Sequence, residues 1–285
     1  MDLTDTDIRA RLQALGEQAE DRLDIGEAAL LLANLDLPGH SLPDYRRQLD
    51  RIAVDLSGGG TLPRQTSAQI SAKISAQISA LSDTLYIQHG FTGDRETYDD
   101  PANANLMQVM DRRKGLPVAL GILAIHVGRA QGWDIAGLNF PGHFLLRISD
   151  GAEHAYMDPF DALRPLTEGD LRDILHRVHG QPTPLEAGYL QPVSDRSILL
   201  RLQNNIKIRA LGDGDRERVL EVLQSTFLIA PGSFEIMAEL AMLEAQGGSI
   251  KSALARLDGF LRRYPDTPQG AKIQGMKESL NRSLN

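Results

Sequence analysis

Residues 115–132 read GLPVALGILAIHVGRAQG, and the fold turns on this stretch. Pro117 stands where a helix accepts proline, at its first residue, because the missing N–H would lack an intrahelical partner there anyway. Gly132 follows the last residue as a helix stop. Between them nearly every position is apolar or small, so the spacing predicts a helix buried on most sides rather than one with a solvated face. His126, set among these apolar residues, reads as a core histidine with a local partner rather than as a ligand. A helix of this kind is the centre of a domain, and its neighbours in the chain must cover it.

Three short segments downstream are rich in strand formers: DIAGLNF (134–140), HFLLRI (143–148) and AYMDPF (155–160). Asp150-Gly151 between the last two predicts a two-residue hairpin turn. Pairing across it joins residues whose numbers sum to 301, setting Leu145 opposite Tyr156, Arg147 opposite His154 and His143 opposite Asp158. Opposed residues project to one side with Cβ atoms about 4.5 to 5.5 Å apart, near enough for an imidazole to hydrogen-bond a carboxylate. His143 and Asp158 are therefore candidate site residues. Upstream, GFTGDRETYDDPANAN (90–105) is turn chemistry. Its Asp94, Asp99 and Asp100 lack the ligand spacing of a calcium loop and are expected to cap turns and helices. Arg112, Arg113 and Lys114 close a short helix that begins at Leu106, where positive charge favours the helix end; anion binding is the alternative reading.

The first 56 residues read as three helices, with Ile8, Leu12 and Leu15 in one and Ala28, Leu31, Leu32 and Leu35 in the next. The third runs from about Pro43 to Leu56, capped by Ser41 and ended by Gly58, Gly59 and Gly60. Residues 67–80, SAQISAKISAQISA, carry Ile70, Ile74 and Ile78 on one helical stripe. From Ser194 onward the chain is helical and repeats. Pro231 and Pro265 are 34 residues apart, and the same offset relates Gly214 to Gly248, Val219 to Ala253, Ile206 to Leu240 and Leu223 to Leu257. That period and pattern resemble tetratricopeptide repeats, whose paired helices stack and bury one another's faces. Such an array serves either as a groove for a protein or peptide partner or as a helical cap.

Composition bounds the function. With 285 residues, 42% of them hydrophobic, the chain is long enough for about two domains with real cores. No apolar run approaches the roughly 18 residues of a membrane span. The 38 acidic against 30 basic side chains leave a net charge of −8, which argues against a surface that neutralises phosphates, so neither nucleic acid nor membrane is an expected partner. There is no cysteine, which removes disulfides, thiolate metal sites and cysteine nucleophiles together. The acidic amphipathic start, MDLTDTDIRARLQAL, is unlike a secretion signal, and the expected compartment is the cytoplasm.

Taken in order, DIGEAALLLANL, GFTGDRETYDDPANANL, RRKGLPVAL, PGHFLLR, YMDPF and LLRLQNNIKIRAL resemble the SirB-type (bacterial invasion regulator) branch of the transglutaminase-like superfamily. The resemblance covers nearly the whole chain and implies an α+β fold. An N-terminal helical region (1–62) would precede a transglutaminase-like (papain-like) core (63–185), in which a small antiparallel sheet packs on a buried helix. Tetratricopeptide-like helical repeats (193–285) would follow. In that superfamily a cysteine thiolate at a helix N-terminus attacks an amide carbonyl, a histidine carries the proton and an aspartate orients the histidine. The family's Gly-x-Cys reads Gly115-Leu116-Pro117 here, and its Arg and Gly twelve and fifteen residues beyond the cysteine match Arg129 and Gly132. Pro117 thus occupies the nucleophile's place, while His143 and Asp158 match the base and its orienter. One departure follows YMDPF, where Asp161-Ala162 stands in place of the branch's usual Asn-Gly.

Two functions of different class remain open. One is a non-catalytic protein-interaction or regulatory module with no cofactor and no metal. Its partner, a protein or peptide, would bind through the C-terminal repeats. The other is an enzyme of altered chemistry that uses His143 as a general base on water or a hydroxyl, with a metal shared by His143, Asp158 and His154 as a variant.

Overall fold

The structure, a computed structural model, describes residues 3–20, 23–56 and 67–282. It divides into two compact units, one of residues 1–8 and 19–202 and one of residues 9–18 and 203–285. One boundary falls inside helix α1 (Asp5–Gly16), one just beyond it and one inside α8 (Asp195–Gly212).

In the first unit α2 (Ile25–Asp36) starts at Asp24, whose carboxylate accepts the Glu27 N–H, and buries nearly its whole length. Amphipathic α3 (Leu42–Leu56) buries Tyr45, Leu49, Ile52 and Leu56. The glycine triplet expected to end it lies outside the described residues. The isoleucine-repeat helix is α4 (Ser67–Ser82), with Ile74 and Ile78 buried, and it runs directly into a π-helical turn over Asp83–Gln88. The side chain of Ile70 is likewise outside what is described.

At the centre lies α6 (Pro117–Arg129), beginning at Pro117 as expected, with every residue except His126 and Arg129 buried. Gly121 and Gly128, seven residues apart, fall on one face. A Cβ at Gly121 would meet the Phe144 ring at 2.3 Å, and one at Gly128 would meet Ile135 Cδ1 at 2.2 Å. The glycines therefore let Phe144, just before a strand, and Ile135 of the sheet rest on the helix backbone. His126 faces Asp24 Oδ1 at 3.5 Å, the local partner its setting suggested.

The sheet is an antiparallel meander of β3 (Asp134–Gly137), β4 (Leu146–Asp150), β5 (Glu153–Asp158) and β6 (Arg164–Leu166), in that order. The expected hairpin exists, but its register differs. Arg147 pairs with Tyr156, Ser149 with His154 and Asp150 with Glu153, so paired numbers sum to 303. The two turn residues are Gly151 and Ala152, not Asp150 and Gly151. Of the two, only Gly151 has a left-handed φ, +64°, and glycine at the first central position is the signature of a type II′ turn. Asp150 stays in the strand, ion-paired with Lys73 of α4. His143 consequently precedes β4 and belongs to a loop.

A short parallel pair, β1 (Thr92–Gly93) with β2 (Lys114–Gly115), holds the 90–105 loop beside the start of α6. Between the two strands lies α5 (Leu106–Arg112), closed by Arg113 in the left-handed conformation. After β6 comes α7 (Glu168–His179), which opens with a capping box of Thr167 and Asp170 and closes at Gly180. Its Leu171, Ile174 and Leu175 form a cluster with Leu138, Phe140, Leu145 and Leu166.

The second unit is helical, taking in the end of α8, α9 (Arg216–Ile229), α10 (Phe234–Gln246), α11 (Ile250–Arg263) and α12 (Gly270–Arg282). Gly214 and Gly248, one period apart, occupy the turns that precede α9 and α11 with φ of +73° and +83°. Pro231 and Pro265 follow the ends of those two helices. Met237, Ala241, Ala253, Leu257, Phe260 and Ile273 form a buried core.

Candidate functional site

Asp158 ends β5 and caps the 3-10 turn Pro159–Asp161. Its Oδ1 accepts the Phe160 N–H at 2.8 Å, which fixes the plane of the carboxylate. Oδ2 meets His143 Nε2 at 2.9 Å. A carboxylate oxygen accepts here, so Nε2 is the donor; Nδ1 has no hydrogen-bond partner among the described residues. The two residues are brought together, but not as the opposed strand partners that the hairpin arithmetic set. The imidazole reaches back from the Gly142–Leu145 loop, where Gly142 has a φ of +66° and packs against Val178.

Tyr86, on the π-helical turn, donates its hydroxyl to the Pro159 carbonyl directly behind the dyad. Burial, reinforced by the negative charge of Asp158, pushes its phenol far above the ordinary range. Tyr86 is therefore a neutral donor that pins the backbone carrying Asp158.

An open cleft of about 440 Å³ is lined by Pro117, His143 and Asp158 together with Arg95, Tyr98, Phe160, Asp161, Arg164, Ile174, Arg177 and Val178. Pro117 opens α6, and Leu116 before it contributes no side-chain cap. The position where the helix meets the dyad therefore carries a pyrrolidine ring, with no atom that can attack a carbonyl.

The 90–105 loop is built by its acids. Buried Asp94 accepts the N–H groups of Glu96 and Thr97 at 3.1 and 2.9 Å and the Thr97 hydroxyl at 2.6 Å. These bonds hold its carboxyl at about 2, well below the usual carboxylate range. Asp100 caps the 3-10 turn Pro101–Ala104. Arg112 bridges Asp94 and Asp100 at 3.3 and 3.1 Å, Arg113 lies 4.7 Å over the Phe91 ring, and Lys114 approaches Glu96 at 3.4 Å. The basic run thus braces the loop. Arg129 donates to the Ile135 carbonyl at 3.0 Å and pairs with Asp195, tying the end of α6 to β3.

Among the described residues no group of three or more His, Asp or Glu side chains could hold a metal ion. His154 instead contacts the Tyr156 hydroxyl at 3.0 Å. No described helix is long and apolar enough to cross a membrane. Sequence reasoning found the dyad and Pro117 but missed Arg95, Tyr98, Arg164, Arg177 and Val178 as cleft residues. One signal was available for the last two: Thr167-x-x-Asp170 is a capping-box pattern, and Leu171, Ile174, Leu175 and Val178 follow it at helical spacing.

A family model described as the transglutaminase-like superfamily matches residues 43–204. The chain is similar to the UPF0162 protein of Xylella fastidiosa (strain Temecula1), with 30% identity over 199 residues, 69% of this chain and 71% of that protein. It is similar to the UPF0162 protein of Vibrio cholerae, with 35% identity over 198 residues, 69% and 73% of the two chains. A shorter match, 42% identical over 82 residues, covers 29% of this chain and 13% of F-box only protein 21 of Mus musculus. No solved structure matches.

Proposed function

The chain belongs to the transglutaminase-like superfamily, and on that premise we propose that it is a non-catalytic member, a pseudoenzyme of the SirB type that acts as a protein-interaction or regulatory module in the cytoplasm. The observation that carries the reading is the residue at the start of α6. Pro117 lines the cleft beside His143 and Asp158, and the chain contains no cysteine. A histidine and aspartate with no nucleophile between them and a carbonyl cannot form the covalent acyl intermediate on which the family's chemistry rests. The cleft nevertheless stays open, which supports retention for binding. The 34-residue period of the second unit's helices supports a tetratricopeptide-like array for a protein or peptide partner.

A second reading is favoured by one observation, that His143 lines an open cleft with its Nδ1 unpartnered among the described residues. Oriented by Asp158, it could take a proton from water or a substrate hydroxyl as a general base. One experiment separates the two. The purified protein is incubated with glutamine-containing peptides, primary amines and activated esters, then followed by intact-protein mass spectrometry and by product release. The module reading expects no acyl adduct and no turnover. Turnover lost in His143→Ala without an adduct would establish general-base chemistry, and a covalent acyl adduct would overturn both readings.

A further inference from the structure

We infer that the cleft binds an organic carboxylate with an apolar body, its anionic group held by Arg95 and Arg177; the inference rests on reading the cleft as a binding site and names what it binds. Two acids line the cleft. Asp158 is engaged on both oxygens, by Phe160 N–H and by His143. Asp161 accepts Arg164 Nε at 2.9 Å, and Arg164 donates Nη1 to Asp170 at 2.9 Å as well. Both lining carboxylates, and one of the three arginines, are therefore committed to the protein's own structure.

The other two are held less fully. Arg95 makes only a long ion pair, 3.6 Å from Asp161 Oδ1, and lies 4.8 Å over the Phe160 ring. Arg177, at the end of α7, forms neither a hydrogen bond nor an ion pair with any described residue. The cleft thus presents one guanidinium, Arg177, with its donors unused and a second, Arg95, held only by a long ion pair with no hydrogen bond, on a chain whose net charge is −8. A planar guanidinium fork matches a carboxylate in a bidentate arrangement. At Pro117 the cleft also meets the start of α6, the positive end of that helix's dipole.

The rest of the lining points to an apolar body. Tyr98 and Val178 are 44% and 42% exposed, two of the few large apolar side chains left open to solvent, and both line the cleft with Phe160 and Ile174. Inorganic phosphate would use the arginines and leave these surfaces wet. A carboxylate of this kind is supplied either by a free acid or by the C-terminal residue of a peptide, and the volume of about 440 Å³ admits one group of that size.

The test titrates the full chain while following the histidine ring C–H resonances by NMR, with His143 assigned by its loss in His143→Gln. The probes are 3-phenylpropionate, its amide, inorganic phosphate, and acetyl-Gly-Gly-Phe with a free or an amidated C-terminus. Saturable shifts of the His143 resonances are expected with both acids, weakened roughly tenfold for the amides and in Arg95→Gln and Arg177→Gln, the strength of one charge-assisted contact. Arg177→Lys should fall between, keeping the charge but losing the fork. Tighter binding of the peptide acid than of phenylpropionate would assign the C-terminal source, and the converse a free acid; either supports the inference. Amides binding as well as acids would overturn the carboxylate assignment while leaving the cleft a binding site, and phosphate binding as tightly as phenylpropionate would overturn the apolar body. Silence from every probe would overturn the inference, whereas an acyl adduct in the mass spectrum would instead overturn the non-catalytic reading beneath it.

Discussion

Asp94→Ala is the substitution that most directly tests how the cleft is held together. Asp94 is 2% exposed and accepts four donors: two backbone N–H groups, the Thr97 hydroxyl and Arg112. Alanine removes every acceptor at once. Neutral hydrogen bonds contribute about 1 kcal/mol net and charge-assisted ones about 1.5 to 3 kcal/mol, so a simple sum exceeds 5 kcal/mol. Two features lower it. Residues 95 to 97 are exposed, so the freed N–H groups regain water, and Arg112 keeps Asp100 at 3.1 Å. The expected loss is about 3 to 4 kcal/mol, the lower part of the roughly 3 to 5 kcal/mol for removing one member of a buried ion pair, because Arg112 is partly exposed. Asp94→Asn retains an oxygen for the two amides but sets an NH₂ against a guanidinium, and should cost about half as much. Urea denaturation followed by tryptophan fluorescence is the assay, because Trp133 is the chain's one tryptophan and belongs to the first unit, so its signal reports that unit alone. A loss below about 1 kcal/mol for Asp94→Ala would refute the claim that this carboxylate organises the loop. Because the same bonds fix the backbone between Arg95 and Tyr98, carboxylate binding should weaken in parallel.

Acid should act on the same group. Its carboxyl titrates at about 2 when folded against 3.8 ordinarily, so the unfolded chain binds the proton more readily. Its contribution is complete above the ordinary value and is lost as pH falls through about 2; the resulting slope in urea stability should be shallower in Asp94→Asn. Gly121→Ala should destabilise by about 1 to 2 kcal/mol, since the Phe144 ring in the way is buried and overpacking outweighs the ~1 kcal/mol that alanine gains over glycine in a helix; an unchanged urea midpoint would contradict it. Ala253→Leu, at a fully buried position in the second unit, should lower the thermal midpoint seen by circular dichroism, for a cost of about 1 to 3 kcal/mol. Ala162 has a φ of +50°, where an L-residue carries about 1 to 2 kcal/mol of strain. Ala162→Gly relieves this against about 0.4 to 1 kcal/mol of added unfolded-state entropy, so a net gain of about 0.5 to 1 kcal/mol is expected in the same urea assay.

The parts of the fold readable from sequence were those with strong local causes. Pro117 marked the start of α6 to the residue, although the helix ends at Arg129, two residues short of where Gly132 would stop it, and the positive-φ glycines of the second unit marked its turns. The strands were less readable because their ends are set by neighbours. HFLLRI carries strand-forming residues from Phe144 onward, yet β4 starts only at Leu146. The preceding residues are drawn instead toward α6 and α7, Phe144 against Gly121 and Gly142 against Val178. Ala162 shows the same limit from the other side: nothing in the residue itself announces a left-handed backbone, and only the turn between β5 and β6 imposes it.

The dyad survived an error in the register for a definite reason. A strand's side chains alternate with period two, so moving the pairing sum from 301 to 303 exchanges partners along one face without changing which residues share it. Asp158 therefore stayed on the expected face, and a histidine in the adjoining loop had enough freedom to reach it. The cations had no such protection. Arg95 and Arg177 are 82 residues apart on elements with no shared periodicity, and they line one cleft only because β1 pairs with β2 beside α6 while the capping box of α7 sets that helix against the sheet. A nucleophile-and-base motif can be read along a chain because its chemistry dictates residue types at known offsets. Ligand selectivity built from side chains on separate loops and helices becomes visible only once the sheet has brought them together.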